Sequence, residues 1–168
     1  MLTEEQEKWI NHLSNDIKVE IFPYNPEVKV VFKAIKKEIL SFLPEVDVFH
    51  CGSTALEISG QGEIDLYIPV LGKYFVIYLQ KLIGHFGKPG SIHPNKRARF
   101  VKYVNGIKIE MFLVNKESDD WKNLIKFEDY LRNNKSALKA YEKLKLESNG
   151  LSIREYYRKK LEFIYGGT

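Results

Sequence analysis

The sequence predicts an α+β fold: a mixed, mostly antiparallel sheet with helices packed on one face and a helical extension at the C-terminus. Three observations carry this. An alternating segment, Glu63 to Val70, follows a Gly-Ser turn at Gly52-Ser53. Asn105-Gly106 separates two apolar runs, the strongest short-range signal of a two-residue hairpin. Apolar residues recur at helical spacing between residues 26 and 42 and again from 118 onward.

The chain reads as one domain over residues 1–168, with an α/β core at about 18–115 and C-terminal helices at 118–168. Thr3 followed by Glu4, Glu5 and Gln6 is a capping box that starts a short helix. Residues 17–22 form a linking piece. Pro26 opens a helix whose apolar stripe is Val28, Val31, Phe32, Ile35 and Ile39, ended by Leu43-Pro44. Residues 46–50 form a strand entering the Gly-Ser turn, where a helix start would aim N–H groups at an anion. Pro69 marks the end of ladder pairing for the 63–70 strand, or an edge. Residues 74–86 form a helix, and 91–97 a polar, basic loop leading into the hairpin. Ser118 caps a helix through Arg132, and two more helices follow at about 135–148 and 152–165.

Composition narrows the function classes. Hydrophobic content of 44% and aromatic content of 13% are enough for a core. The formal charge of +4 permits a phosphate-bearing ligand without demanding nucleic acid. The single cysteine, Cys51, excludes an intramolecular disulfide and suits a reducing compartment. No run is long enough to span a bilayer and the acidic N-terminus has no signal-peptide core, so a cytoplasmic protein without a membrane partner is expected.

The chemistry concentrates in three acids. Glu63 and Asp65 stand two apart in a strand, so they share one face, with Ile64, Leu66, Ile68 and Val70 on the other. Two such carboxylates repel unless a cation sits between them, and all-oxygen donor sets suit Mg²⁺ or Mn²⁺. In the hairpin register Val104 pairs with Ile107 and Val101 with Glu110. Glu110 then shares a face with Lys108, Arg99, Val101 and Tyr103. If the hairpin lies beside the 63–70 strand, Glu63, Asp65 and Glu110 form one acidic cluster suited to phosphoryl transfer. Solvent-facing acids on a half-buried sheet would give the same pattern.

Gly-Ser, a spacer, acid–hydrophobic–acid in a strand and a third acid in a later strand resemble the nucleotidyltransferase superfamily, whose fold is shared with polymerase beta. Wider similarity points to its GrpB-like branch: Tyr24-Asn25-Pro26, Phe49 to Ala55, Ile64-Asp65-Leu66, Leu124 to Arg132 and Tyr141 to Lys145 all resemble it. The chain departs from the branch at Glu63, where an aliphatic residue is usual, and at Glu110, where histidine is frequent. Both changes move it toward the acid-bearing superfamily pattern.

The resemblance implies a metal-dependent nucleotidyltransferase. Glu63, Asp65 and Glu110 would be both metal ligands and catalytic residues, with Glu110 helping to deprotonate the acceptor. Gly52, Ser53 and Thr54 would contact the nucleotide phosphates, and Arg97 and Arg99 would hold the triphosphate of an NTP through their guanidinium forks. Among the arginines, Arg99 ranks first because it shares the Glu110 face. The acceptor, a small molecule, a protein or an RNA, is not specified. Two other classes stand beside this reading. One is a catalytically inactive nucleotide-binding or protein-interaction module. The other is an RNA-binding or RNA-modifying protein acting through the basic C-terminal helices, whose Lys143, Lys145 and Arg158 to Lys160 otherwise read as solvated faces.

Overall fold

A computed structural model describes residues 1–166 of the chain. Its order is α1 (Glu4–His12), α2 (Glu27–Phe42), β1 (Phe49–Cys51), α3 (Gly52–Ala55) and β2 (Ile64–Val70), then a 3₁₀ turn at Gly72–Tyr74 and α4 (Phe75–Phe86). There follow β3 (Ser91–His93), β4 (Arg97–Val104), β5 (Ile107–Asn115), α5 (Asp119–Asn133), α6 (Lys135–Glu147) and α7 (Ile153–Gly166). The five strands form one sheet in the order β1-β2-β5-β4-β3. Only the β2–β5 pair is parallel.

The hairpin register follows from its turn. Asn105 and Gly106 have φ of 51° and 76°, the two positive values that a type I′ turn requires. Val104 therefore faces Ile107, and Val101 faces Glu110. The parallel pairing of β2 with β5 then sets Asp65 opposite Glu110. Pro69 sits beyond the last β1 pair, Phe49 with Tyr67, so its missing N–H breaks no bond on that side. On the other side the β5 ladder runs past it to Val70.

Alternation divides the sheet into two faces. Ile64, Leu66, Ile68, Ile109, Met111 and Leu113 pack against the stripes of α2 and α4 in the main core. The other face carries Asp65, Tyr67, Glu110 and Phe112. The C-terminal helices expected as an extension close over this face. Trp121 of α5 lies 5.7 Å from Tyr67 and 5.6 Å from Phe49, ring centre to ring centre. A second apolar cluster, built on Leu56, Ile58, Leu131, Ala137 and Tyr141, ties α5 and α6 to the segment after α3.

Two expectations are corrected. Residues 91–93, read as part of a loop, are a short edge strand paired with β4. Three residues with no apolar face give no periodicity to read, and the reversal depends on Asn95 adopting a φ of 56°. The lysines of α6 and α7 are not uniformly solvated: Lys145 is 3% exposed, and Lys160 is half-buried.

Candidate metal and nucleotide site

The acids converge as the register dictates. One carboxylate oxygen from each of Glu63, Asp65 and Glu110 lies within 4.8 Å of the others. Asp65 and Glu110 come from paired residues on neighbouring strands. Glu63 immediately precedes β2, its backbone carbonyl accepting a hydrogen bond of 2.9 Å from the Thr54 hydroxyl.

Three features make this a candidate cation site. All donors are oxygens, the set that suits Mg²⁺ or Mn²⁺. Burial pushes the Asp65 carboxyl up to about 7, with Glu110 and Glu63 adding to it and the charges of Lys160 and Lys145 only partly opposing it. The backbone also makes room for that carboxylate. A Cβ at Gly52 would stand 2.3 Å from Asp65 Oδ2, and Gly52 has a φ of 79°. Only glycine serves there.

Two basic side chains touch the acids. Arg99 donates through its guanidinium to Glu110 Oε1, with Nε at 2.9 Å. Lys108 Nζ lies 3.2 Å from both Glu63 Oε1 and Glu110 Oε1. Burial opposes the Lys108 charge, but the two carboxylates outweigh it and raise its pKa. Arg99 was expected at a triphosphate and is here an ion-pair partner. Arg97, ranked below it, reaches the cavity beside the acids.

That cavity has a volume of about 310 Å³. The three acids and Ser53 line it on one side, and Lys145 and Lys160 on the other. Burial and then the like charge of Lys160 push the Lys145 amine down to about 7. Its Nζ lies 3.0 Å from the Tyr156 hydroxyl and over the Tyr141 ring.

The Gly-Ser turn is more occupied than the sequence suggests. The Gly52 N–H, expected at a phosphate, donates at 2.6 Å to Glu128 Oε1. Glu128 is 5% exposed, its carboxyl raised by burial and pulled the other way by Gly52 and Arg132. The Thr54 hydroxyl is turned inward. It bonds to the Glu63 carbonyl and lies 2.8 Å from His50 Nε2, so it does not face the cavity. His50 is a packed histidine: stacked on Phe32, it is pushed by burial down to about 4. Ser53 remains at the cavity wall. A Cβ at Gly60 would stand 2.1 Å from its Oγ, so the segment before β2 presses closely on Ser53.

Lys145, Lys160 and Glu128 were not singled out as site residues by sequence reasoning. Their helical spacing carries no sign of which face turns inward. Lys108 was placed on the correct face, but its ion pairs depend on the distance between β5 and Glu63.

A Gly-Ser turn, paired acids at a strand start and a third acid on the neighbouring strand meet on one sheet face of an α+β protein. The family model for GrpB protein matches residues 18–166, and the chain belongs to the GrpB family. A UPF0157 protein of Vibrio cholerae is 24% identical over 144 residues, covering 84% of this chain and 76% of its own. The crystal structure of the conserved protein GrpB from Enterococcus faecalis superposes with a TM-score of 0.60 at 19% identity, over 88% of this chain and 86% of that one. The poly(U) polymerase Cid1, in a MgGTP-bound structure, aligns at a TM-score of 0.46 and 12% identity, over 83% of this chain and 48% of its own. The Enterococcus structure carries the fold assignment, and the weaker likeness adds nothing to it. Among the described residues, no helix is long and apolar enough to cross a membrane.

Proposed function

We propose that this protein is a metal-dependent nucleotidyltransferase that moves NMP from an NTP to a hydroxyl or amine acceptor. The observation that carries the reading is the convergence of Glu63, Asp65 and Glu110 on one point beside Ser53. These three residues would hold Mg²⁺ or Mn²⁺. A bound divalent ion would neutralise phosphate charge and polarise the reacting phosphoryl group. The chain's own part is positioning and electrostatics. Arg97, Lys145 and Lys160 line the same cavity as the acids and supply positive charge for the phosphates, and Ser53 offers a hydroxyl. The acceptor oxygen or nitrogen attacks the α-phosphorus, a new bond to phosphorus forms, and the bond to the bridging oxygen breaks. Pyrophosphate leaves, and the acceptor proton passes to a carboxylate of the cluster. Glu110 is the expected base, and Arg99 and Lys108 must shift off it before it serves.

The test is NMP transfer, or slow NTP hydrolysis in the absence of an acceptor, measured with Mn²⁺. Glu63→Ala and Asp65→Ala should each lose activity by on the order of 10²-fold or more. Full metal-dependent turnover in either variant would refute the assignment.

The Arg99 and Lys108 contacts favour a second reading, a nucleotide-binding or interaction module without turnover, because these cations already balance much of the acidic charge. It predicts NTP binding whose affinity is unchanged by Mg²⁺. The third class, RNA binding through the C-terminal helices, loses part of its basis: Lys145 and Lys160 face the cavity and Arg158 is paired with Glu7.

A further inference from the structure

A second cavity of about 240 Å³ is walled by Trp9, Tyr67, Phe127, Tyr141 and Tyr157, with Glu128 also in its lining. It adjoins the acid-lined cavity, since Trp9, Asp65, Tyr67, Tyr157 and Lys160 line both. One of its walls comes from α1, which precedes the region matched by the family model.

α1 is held in place deliberately. Glu7 and Arg158 of α7 form two parallel bonds of 2.8 Å each, the fork geometry of a carboxylate on a guanidinium. Arg154 donates to the carbonyls of Leu13 and Asn11 at 3.0 Å each. Ile10 is fully buried, while the neighbouring Trp9 is 47% exposed. The helix therefore anchors through Ile10 and Glu7 and leaves a large ring only half covered. Trp9 meets Tyr157 at 88° with ring centres 5.4 Å apart. A perpendicular pair does not stack face to face, and the half-exposed Trp9 ring still has surface open to a third ring.

We infer that α1 is a nucleotide-binding element and that Trp9 stacks on the nucleobase of the nucleotide whose phosphates lie beside the acids. The aromatic cavity is too small for a whole nucleotide and opens on the cavity where the phosphates would sit, so a single flat ring system attached to a phosphate fits the pair. This deepens the transferase reading and rests on it. A base between aromatic walls contributes stacking that tolerates any base face, worth on the order of tenfold or more in affinity per ring removed.

Trp9 and Trp121 are the two tryptophans of the chain, so in a Trp121→Phe background the emission reports Trp9 alone. Titration with ATP, GTP, CTP and UTP in Mg²⁺, and with adenosine in EDTA, should quench it. Trp9→Ala should weaken NTP binding by on the order of tenfold in calorimetry, Trp9→Phe should recover most of the loss, and Mn²⁺ affinity read by electron paramagnetic resonance should stay as in wild type. Arg158→Ala, which frees Glu7, should give a smaller loss in the same direction. Wild-type NTP affinity in Trp9→Ala would overturn the inference and leave the metal site standing. Quenching by adenosine without Mn²⁺ binding would instead overturn the metal assignment and keep the base site. Absence of binding by any of the nucleotides would end both.

Discussion

The two faces of the sheet are built from alternate residues of the same strands, and they have been put to opposite uses. On one, Leu66 and Ile109 are fully buried, their neighbours apolar and their packing complete. On the other, Asp65 and Glu110 sit one position away, crowded by like charge, with a cavity in front of them. The apolar face stabilises the fold. The acidic face draws on that stability to hold carboxylates closer together than their charges favour. Functional strain of this kind persists only where the surrounding structure over-determines it.

The sharpest way to break the comparison is to damage each face separately. Ile109→Ala removes a fully buried side chain from the main core and should cost about 2–5 kcal/mol in urea unfolding. Its effect on metal affinity should be small as long as the protein is folded. A core substitution that abolished metal binding in the folded protein would show that the faces are not separable.

Glycines sharpen the same contrast. Gly52 and Gly106 have nearly equal positive φ, 79° and 76°. A Cβ at Gly106 meets nothing within 4 Å, whereas one at Gly52 runs into the Asp65 carboxylate. Gly106→Ala should cost about 1 kcal/mol from backbone strain alone. Gly52→Ala should cost more, about 2–3 kcal/mol, and should also weaken Mn²⁺ binding. Equal costs for the two would mean that the Gly52–Asp65 approach has no energetic consequence.

Asp65 gives a prediction with a sign. Its folded carboxyl titrates near 7, above its ordinary value of 3.8, chiefly because it is buried. The folded state therefore binds the proton more tightly than the unfolded chain. The ionisation cost is absent below pH 4, grows between pH 4 and 7, and is complete above 7. Without metal, Asp65→Asn should be more stable than wild type by about 1–2 kcal/mol at pH 8, and the difference should vanish at about pH 4. Added Mn²⁺ should raise the wild-type Tm and leave that of the variant nearly unchanged. A variant less stable than wild type at pH 8 would show that Lys160 and Lys145 compensate the ionised Asp65 more than its burial costs.

Much of this was legible in the sequence because it depends on local rules. Asn105-Gly106 dictates the hairpin register, and a period of two assigns Asp65 and Glu110 to the face opposite Leu66 and Met111. The adjacency of β2 and β5 entered the sequence reading only as a condition, and the parallel pairing meets it. What was hidden depends on distance. Glu128 lies 76 residues from the Gly52 N–H that it accepts, and in the sequence it is one more charge on an amphipathic helix. Lys145 and Lys160 look like solvated lysines until α6 and α7 are folded back over the sheet. β3 has only three residues and exists because β4 offers it an edge. Trp9 carries no signal of a site in the sequence, since its place in the cavity wall depends on the contact of Glu7 with Arg158, 151 residues away.

The smallest effect concerns the competition at the acidic face itself. Lys108 Nζ stands 3.2 Å from carboxylates of both Glu63 and Glu110, a tethered cation where a divalent one would bind. It cannot be released to solvent without giving up two partly buried ion pairs, but pairs that solvent still reaches are worth only about 0–1 kcal/mol each. The lysine should therefore moderate metal affinity without blocking it. Lys108→Met, which keeps most of the apolar stem and removes the charge, should tighten Mn²⁺ binding by about threefold to tenfold. The same variant should narrow the pH range over which metal stabilises the protein, because the uncompensated acids would take up protons more readily. Weaker binding in Lys108→Met would mean that the ammonium group organises the carboxylates for the metal instead of competing with it, and the two cations of the acidic face would then have to be counted as part of the site.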